Sequence, residues 1–333
     1  MTAAENNALN EDIFMTAEEQ EKFNGSIVMD PFDPTPYGNK FLDIQYGPLP
    51  EQLLDLYLPE KGDGPFPVLF DVHGGGWMLG SRRESFIAKK MDMLNRGYAV
   101  IAMDYRLLPE TRFPENLYDV KTSVRWARAH AKEYNLDPER FTMIGDSAGG
   151  HLTLMIAFTA DRPEYAGYQY GWEGYSDAVQ AACDMFGPSV MDSRAANFYK
   201  ESGVKRIAFG EGPSTIEGIM AECFGTEDNL LKLISPLELV HKDIPPLLIL
   251  QGHDDGIVPY QNSTLVYDRI CKVCGEGRAE LQLYDDYNHE DPRFYEGESL
   301  CDTLEEFFES TCRAELIISE MPHKASSLRG IFK

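Results

Sequence analysis

Short apolar runs alternate with amphipathic stretches along most of this chain. Between residues 115 and 135 apolar side chains recur at spacings of three and four, which places them on one face of a helix. Similar patterns predict helices over 148–160, 259–275 and 299–311. Apolar runs predict strands over residues 41–47, 53–59, 67–74, 98–105, 140–146, 179–187, 245–252 and 279–285. This alternation predicts an α/β fold, with a mostly parallel central sheet flanked by helices.

The same pattern indicates one main domain over residues 41–312. Neither an internal repeat nor a low-complexity linker divides it, and residues 1–40 and 313–333 lack strong periodicity, so we expect them to be extensions. Residues 188–240 follow the carboxyl end of a predicted strand, so we expect this insertion to cap the active-site edge of the sheet. Its larger apolar side chains would either line a substrate pocket or pack the cap onto the domain. They are Met191, Phe198, Tyr199, Phe209, Ile216, Met220 and Phe224.

Another aromatic segment, residues 164–175, follows a predicted helix rather than a strand. Chain that leaves the carboxyl end of such a helix returns to the opposite edge of the sheet. We therefore expect this segment to lie away from the active-site edge, as a packing or oligomer-contact surface.

Charge and composition limit the classes of molecule that we expect this protein to bind. Acidic residues outnumber basic ones 55 to 30, for a formal net charge of −25, and such a surface repels nucleic acid and anionic lipid. No apolar run approaches the roughly 18 residues of a membrane span, and the first residues lack a signal peptide's basic and apolar regions. We expect a cytoplasmic protein with no membrane or nucleic-acid partner, and the sequence is compatible with a homo-oligomer.

The pair Cys271 and Cys274 has the spacing C-x-x-C. It falls within a predicted helix, and no second Cys or His pair stands at the spacing of a zinc site. In a reducing compartment these thiols are expected to be structural. We predict neither a metal nor a cofactor.

A serine stands where the apolar run 140–146 ends, in Gly145-Asp146-Ser147-Ala148-Gly149, which has the form G-x-S-x-G. A serine on a sharp turn between strand and helix needs small residues two positions before and after it, because neighbouring backbone leaves no room for a Cβ. The alternative is an ordinary turn whose serine caps the next helix. The strand-like run before the motif and the helical run after it favour a nucleophile elbow, with Ser147 as the nucleophile.

A second glycine-rich motif, His73-Gly74-Gly75-Gly76-Trp77, follows the predicted strand 67–74. Glycines let backbone N–H groups face a cavity without obstruction, and acyl transfer needs such donors where the carbonyl oxygen becomes an oxyanion. The alternative is a flexible glycine-rich loop. Its place at the carboxyl end of a strand favours an oxyanion hole, with the N–H groups of Gly74, Gly75 and Ala148 as donors. His73 is expected to shape the loop rather than to act as a base.

A serine nucleophile requires a base and a group that orients the base. In α/β-hydrolases, whose signature is G-x-S-x-G, these follow the serine in the order acid, then histidine. His151 lies on the predicted helix after the serine and would point into the interior. His253 precedes any suitable acid, and His323 has no strand before it. His289, in a polar loop after the last predicted strand, is the candidate base.

The acid is expected in the loop after the strand 245–252. Asp254 and Asp255 are adjacent there, and only one of them can reach the ring of His289. On the residues alone both remain candidates.

Five segments resemble α/β-hydrolase carboxylesterases, in particular the hormone-sensitive-lipase-like esterases and the acetyl-xylan and feruloyl esterase-like branch. They are HGGGW, YRLLPE, FPENLYDVKTSVRWARAHAKEYNLDPERF, GDSAGGHL and QGHDDGIVP, and the resemblance covers roughly residues 42–312. It implies the α/β-hydrolase fold, ester hydrolysis without a cofactor, and Ser147, Asp255 and His289 as catalytic triad. Asp255 is preferred because the family pattern Gly-x-x-Asp-x-x-Val-Pro matches the chain from Gly252 to Pro259. The residues before His289 depart from the family, which more commonly has glycine there.

The predicted function is therefore that of a serine carboxylesterase acting on a small ester. The resemblance favours short-chain acyl or aryl esters, with acetylated or feruloylated sugars as a subset. Two alternatives stay open: an aminopeptidase or amidase of the same fold, and a non-catalytic ligand-binding module.

Overall fold

A central β-sheet organises the part of the chain that the structure describes. The computed structural model describes residues 31–192, 194–195, 197–198, 228–295 and 299–320. The strands are β1 (Lys40–Gln45), β2 (Leu53–Tyr57), β3 (Phe66–Val72), β4 (Ala99–Met103), β5 (Leu136–Asp146), β6 (Ala181–Met185), β7 (Leu247–Gly252) and β8 (Ala279–Tyr284).

These strands lie side by side in the order β1-β2-β4-β3-β5-β6-β7-β8. β2 pairs antiparallel with both β1 and β4, whereas every neighbouring pair from β4 to β8 is parallel. The loops that follow β3, β5, β7 and β8 therefore meet along one edge, which we call the carboxyl edge. The predicted mostly parallel sheet is confirmed.

Helices cover both faces of the sheet. They are α1 (Ser85–Lys90), α2 (Glu115–Ala129), α3 (Ala148–Thr159), α4 (Asp228–Leu233), α5 (Pro236–Leu239), α6 (Gln261–Cys274) and α7 (Ser299–Glu320). One hydrophobic cluster joins the sheet to α2, α3 and α6, and another joins its opposite face to α1 and α7. The sheet is thus the middle of three layers.

Strand β3 shows how the period of two in a strand supplies both cores. Val68, Phe70 and Val72 belong to the cluster on the α2 and α3 side, and Leu69 belongs to the cluster on the α1 and α7 side. Asp71 continues the alternation of Leu69, although its side chain is almost fully buried. A charged group therefore lies inside the second layer, near the carboxyl edge.

The ends of several predicted elements differ from the structure. Helix α2 ends at Ala129 and not at residue 135, because the chain turns there and β5 already begins at Leu136. Helix α7 continues to Glu320, past the predicted end at 311. The short helices α1, α4 and α5 were not predicted, since each presents too few turns to show a period.

The predicted cap is described only at its two ends. Met191 and Phe198 are buried, the first in the core beside α3 and the second in a small cluster with Val190 and Ala195. For these two residues the structure favours packing over pocket formation. The other predicted cap residues, Tyr199, Phe209, Ile216, Met220 and Phe224, lie outside the described residues.

The aromatic segment 164–175 packs along α2. Arg125, in the carboxyl-terminal half of that helix, donates hydrogen bonds to carbonyl oxygens of the segment. Tyr170 contacts Glu115 in the first turn of α2, and its ring lies 4.6 Å from the guanidinium carbon of Arg106, which follows β4. The expectation that the whole segment lies at the opposite edge is therefore wrong for Tyr170, because the chain runs back along the helix.

Two further findings bear on the sequence analysis. Among the helices that the structure describes, none combines the length and apolar character needed to cross a membrane. Cys271 and Cys274 lie on α6 as free thiols, and Cys274 Sγ donates to the carbonyl oxygen of His241 (3.1 Å).

Candidate active site

Ser147 stands at the turn between β5 and α3, as the G-x-S-x-G motif predicts. Its backbone has φ 53° and ψ −117°, a conformation that is strained for any residue with a Cβ. The N–H of Ser147 donates to the carbonyl oxygen of Met185 at the end of β6 (2.9 Å), which holds the turn in place. Ser147 itself is 8% exposed.

The two glycines of the motif make this turn possible. A Cβ on Gly145 would collide with the carbonyl oxygen of Gly149 on the first turn of α3. A Cβ on Gly149 would collide with the carbonyl oxygen of Val72, the last residue of β3. The elbow therefore packs directly against the strand that leads into the glycine-rich loop.

Three distant side chains form one line of hydrogen bonds at the carboxyl edge. His289 Nε2 lies 2.9 Å from Ser147 Oγ, and His289 Nδ1 lies 2.7 Å from Asp255 Oδ2. His289 is 2% exposed and Asp255 is fully buried. The structure thus brings together the serine, histidine and aspartate singled out in the sequence, in the order that a nucleophile, its base and an orienting acid require.

Asp255, and not Asp254, makes this contact. Asp255 Oδ1 accepts hydrogen bonds from the N–H groups of Ile257 (2.8 Å) and Val258 (2.7 Å), and Oδ2 accepts one from Gln251 Nε2 (3.1 Å). Asp254 is more than half exposed and lies beside His253. The sequence left two adjacent aspartates open, and the turn after β7 points only the second of them at the base.

The environment of His289 makes its ring a stronger base than an ordinary imidazole. Burial disfavours the charged ring, but the charge and hydrogen bond of Asp255 outweigh burial, and the pKa of His289 is raised. Asn288 Oδ1 accepts hydrogen bonds from the N–H groups of His289 (2.7 Å) and Gly256 (3.0 Å), which tie the base loop to the acid loop. Asn288, which makes this link, precedes His289, where the family that the sequence resembles more commonly has glycine.

The glycine-rich loop lies against the elbow. Gly75 and Gly76 have positive φ, and a Cβ on Gly74 would lie 2.6 Å from Asp146 Oδ2. Among the described residues, no acceptor is recorded for the N–H groups of Gly74 or Gly75. Ala148 is the first residue of α3, so its N–H has no partner within the helix. The three predicted donors therefore belong to adjoining pieces of backbone.

His73 and His151 are both buried away from the line of hydrogen bonds. His73 stacks on Tyr105 with ring centres 4.2 Å apart, and the Tyr105 hydroxyl donates to the carbonyl oxygen of His73 (3.0 Å). Burial lowers the pKa of His73. His151 Nε2 lies 2.8 Å from the carbonyl oxygen of Ile234, and burial lowers its pKa to about 4. Neither ring contacts Ser147, in keeping with the roles expected from the sequence.

Sequence analysis missed two buried polar residues, Gln251 and Lys90, which contact residues of the site or their neighbours in the chain. Gln251 contacts Asp255, and the only signal for it is a polar side chain near the end of an apolar strand. Lys90 is fully buried and pairs with Asp71 and Asp146. Its signal is weaker, because Lys90 lies in a short helix beside a second lysine.

The comparisons with known proteins agree with this geometry. Residues 54–270 match the family model described as BD-FAE. The chain belongs to the BD-FAE family. The resemblance to carboxylesterases predicted from the motifs is thereby confirmed.

Curated relatives of this BD-FAE chain carry esterase names. Esterase LipC of Mycobacterium tuberculosis is 29% identical over 72% of this chain and 57% of its own length. Esterase LipQ of the same organism is 31% identical over 68% of this chain and 52% of its own length. The chain thus spans about half the length of the curated relatives it matches.

Solved structures show the same fold. A truncated form of a carbohydrate esterase from gut microbiota superposes with a TM-score of 0.70, at 24% identity, over 85% of this chain and 100% of that one. The esterase Est2 from the Planctomycetes species Thermogutta terrifontis gives a TM-score of 0.62, at 22% identity, over 89% of this chain and 97% of its own. The α/β-hydrolase fold predicted for this BD-FAE chain is confirmed.

Proposed function

We propose that this protein is a carboxylic ester hydrolase in which Ser147 is the nucleophile, His289 the general base and Asp255 the residue that orients the base. The observation that carries the proposal is the unbroken line of hydrogen bonds from Asp255 through His289 to Ser147, with contacts of 2.7 and 2.9 Å. Membership of the BD-FAE family and the esterase names of the relatives support it.

In the acylation half-reaction, Ser147 Oγ forms a bond to the ester carbonyl carbon while its proton moves to His289 Nε2. Asp255 keeps the other ring proton on Nδ1, so that Nε2 is free to accept. The carbonyl oxygen becomes an oxyanion, and the N–H groups of Gly74, Gly75 and Ala148 donate to it. His289 then gives its proton to the leaving alcohol oxygen as the carbon–oxygen bond breaks, and an acyl-serine remains.

Deacylation repeats these steps with water. His289 accepts a proton from the water that attacks the acyl carbon, and a second tetrahedral intermediate forms. When that intermediate collapses, His289 returns the proton to Ser147 Oγ and the carboxylic acid leaves. No oxidant, metal or cofactor enters this balance.

The substrate class that we propose is short-chain acyl or aryl esters, with acetylated or feruloylated sugars as a subset. The substrate is a small molecule, and the strongly acidic composition disfavours nucleic acid and anionic membranes as partners. The preference between sugar and simple esters is best tested on the protein itself. Hydrolysis rates for p-nitrophenyl acetate, butyrate and octanoate, methyl ferulate and acetylated xylo-oligosaccharides would rank the candidates.

Ser147→Ala is the direct test of the proposal. We expect kcat for p-nitrophenyl acetate to fall by about 10⁵ or more, as when the nucleophile of a serine hydrolase is removed. Ser310→Ala is the matched control, because Ser310 is exposed and its hydroxyl contacts only the backbone of its own helix. Circular dichroism would show that both variants fold.

Two outcomes would contradict the proposal. A folded Ser147→Ala variant that retains a hundredth or more of the activity would place the nucleophile elsewhere. Faster turnover of p-nitroacetanilide than of p-nitrophenyl acetate by the unaltered protein would instead favour the amidase alternative.

A further inference from the structure

A buried group of charged side chains lies behind the glycine-rich loop, on the sheet face that carries α1. We call it the charge cluster, and its members are Asp71, Glu84, Lys90, Asp146 and Glu290. All five are less than a tenth exposed, and Lys90 and Asp146 are fully buried. Among the described residues, four carboxyl groups therefore share this buried site with one ammonium group.

Lys90 joins the two strands that lead into the active site. Its ammonium group lies 2.5 Å from Asp71 Oδ1 and 2.9 Å from Asp146 Oδ1. Asp71 is near the end of β3, three residues before Gly74, and Asp146 ends β5, one residue before Ser147. One buried cation thus bridges the strand of the oxyanion loop and the strand of the nucleophile.

Asp146 places a carboxylate next to the expected oxyanion donors. A Cβ on Gly74 would lie 2.6 Å from Asp146 Oδ2 and 3.5 Å from Glu290 Oε1, so these two acids meet at that glycine. Oδ2 of Asp146 has no hydrogen-bond partner among the described residues. An uncompensated negative charge there would oppose the developing oxyanion, because charges interact strongly where water is excluded.

The other acids of the cluster do not require a second cation. Burial raises the pKa of Glu84 to about 9 and that of Glu290 to about 7, with the neighbouring carboxylates adding to the effect. Both are therefore wholly or partly neutral near pH 7. Lys90 contacts Asp71 and Asp146, and its single positive charge can offset only one carboxylate charge at a time.

We propose that Lys90 is a positioning residue of this esterase site, whose ammonium group pairs with Asp146 and so reduces the negative charge that faces the oxyanion. The inference rests on the proposed function, since it takes the N–H groups of Gly74, Gly75 and Ala148 as the oxyanion donors. It extends that function to a lysine outside the triad.

Two double variants separate charge balance from simple packing. Lys90→Met with Asp146→Asn removes the cation and the acid beside the elbow. Lys90→Met with Asp71→Asn removes the cation and the acid on β3, and leaves the carboxylate of Asp146 uncompensated. Each pair removes one positive and one negative charge from the contacts of Lys90. If Lys90 has a purely structural role, the two pairs should therefore lose the same fraction of activity.

We expect the pair that retains Asp146 to be the less active. Its kcat for p-nitrophenyl acetate should lie about tenfold or more below that of the pair that retains Asp71, with a similar KM, because the charge acts on the transition state. Lys89→Met is the control, since Lys89 is exposed and adjacent, and its activity should stay at the wild-type level. Urea unfolding would verify that both double variants are folded.

Asp71→Asn and Asp146→Asn as single changes give a second measurement if a double variant does not fold. Each keeps Lys90 and one acid partner. We expect Asp146→Asn to be at least as active as Asp71→Asn, because it leaves the cation, and not an acid, beside the oxyanion donors.

Equal kcat in the two double variants, or a folded Asp146→Asn that is tenfold less active than Asp71→Asn, would overturn the role of Lys90. Neither result touches the triad as long as Ser147→Ala is inactive. An active Ser147→Ala would remove the proposed function itself, so the two failures can be told apart.

Discussion

The acid loop and the charge cluster both bury carboxyl groups beside Ser147, but they stabilise them differently. In the acid loop, residues 253–259, a single carboxylate accepts hydrogen bonds from two backbone N–H groups and from Gln251, all of them neutral donors. In the charge cluster, four acids contact or surround one ammonium group. Neutral donors leave the charge of Asp255 available to His289, whereas the positive charge of Lys90 offsets negative charge on its acid partners.

This difference follows from what each side of the nucleophile must do. In the proposed mechanism His289 becomes positively charged during the reaction, so a nearby carboxylate whose charge is not offset would stabilise it. In the same mechanism the carbonyl oxygen becomes negatively charged on the other side of Ser147, so the charge of a nearby carboxylate would have to be offset. A buried carboxylate therefore requires neutral hydrogen-bond donors on one side of Ser147 and a positively charged partner on the other.

Asp255→Asn should give the largest effect, because it removes the uncancelled charge of the acid loop. An amide in this place favours the wrong tautomer of His289, and we expect kcat for p-nitrophenyl acetate to fall by about 10⁴. Asp254→Asn is a matched control next to it, exposed and outside the line of hydrogen bonds, and should leave kcat within about twofold. Comparable losses in both variants would mean that the loop, and not the carboxylate of Asp255, is what matters.

Gln251→Leu tests the neutral donors themselves. It removes the hydrogen bond to Asp255 Oδ2 and leaves the hydroxyl of Ser263 without its acceptor, Gln251 Oε1 (2.8 Å). We expect about a tenfold loss of kcat and a free energy of unfolding lower by about 1–3 kcal/mol, the usual cost of leaving buried polar groups unpaired. Parallel measurements on Ser263→Ala, which disturbs the same network but not Asp255, would separate the two effects. A loss of stability with unchanged kcat would show that the backbone donors suffice.

The two regions also differ in how far the sequence could predict them. The acid loop follows an apolar strand, so its position at the carboxyl edge could be read from the pattern of β7 and β8. The choice of Asp255 required the family pattern, because adjacent residues in a loop have no period that separates them. The glycine-rich loop and Ser147 could also be predicted from the sequence. Glycines at a fixed spacing indicate a turn in which there is no room for a Cβ.

The charge cluster could not be predicted in the same way. Lys89 and Lys90 are adjacent and chemically identical in sequence, yet one is exposed and the other is fully buried. The distinction arises because α1 packs its last residue against β3 and β5, contacts that span 19 and 56 residues of chain. A helix of six residues is too short to show which face is buried. Contacts of this kind depend on tertiary packing, which local patterns do not encode.

Glu84→Gln probes the acids of the cluster that Lys90 does not neutralise. The pKa of Glu84 is about 9, above its ordinary value near 4.5, so the folded protein binds a proton that the unfolded chain has already lost. Its contribution to stability therefore falls as pH rises from about 4.5 to about 9. Between pH 5 and pH 8 we expect wild type to lose more free energy of unfolding than Glu84→Gln, by about 4 kcal/mol, because each pH unit over most of this range contributes about 1.4 kcal/mol.

Urea unfolding at the two pH values measures this difference directly. Glu60→Gln serves as the control, because Glu60 is exposed and outside the cluster. Parallel pH dependence in wild type and Glu84→Gln would mean that Glu84 is ionised in the folded protein, and that the cluster holds one more carboxylate charge than we infer.

Glu290→Gln should give the smallest effect and joins the two regions, because Glu290 follows the base and also reaches the oxyanion loop. The charge of Glu290 contributes to the raised pKa of His289, after that of Asp255. The proposed mechanism requires the neutral ring, so the acidic limb of kcat/KM should lie above pH 6.5 in wild type and shift to lower pH in Glu290→Gln. Glu280→Gln, on the exposed side of β8, is the control.

The shape of that limb carries a second piece of information. Because Glu290 has a pKa of about 7, it changes charge over the same pH range as the base beside it. The wild-type limb should therefore be broader than a curve for one proton, because loss of a proton from either group makes the other group hold its own proton more tightly. In Glu290→Gln the limb should narrow to a single titration, that of His289 under the charge of Asp255. An equally broad limb in the variant would show that Glu290 does not titrate together with His289 over this pH range.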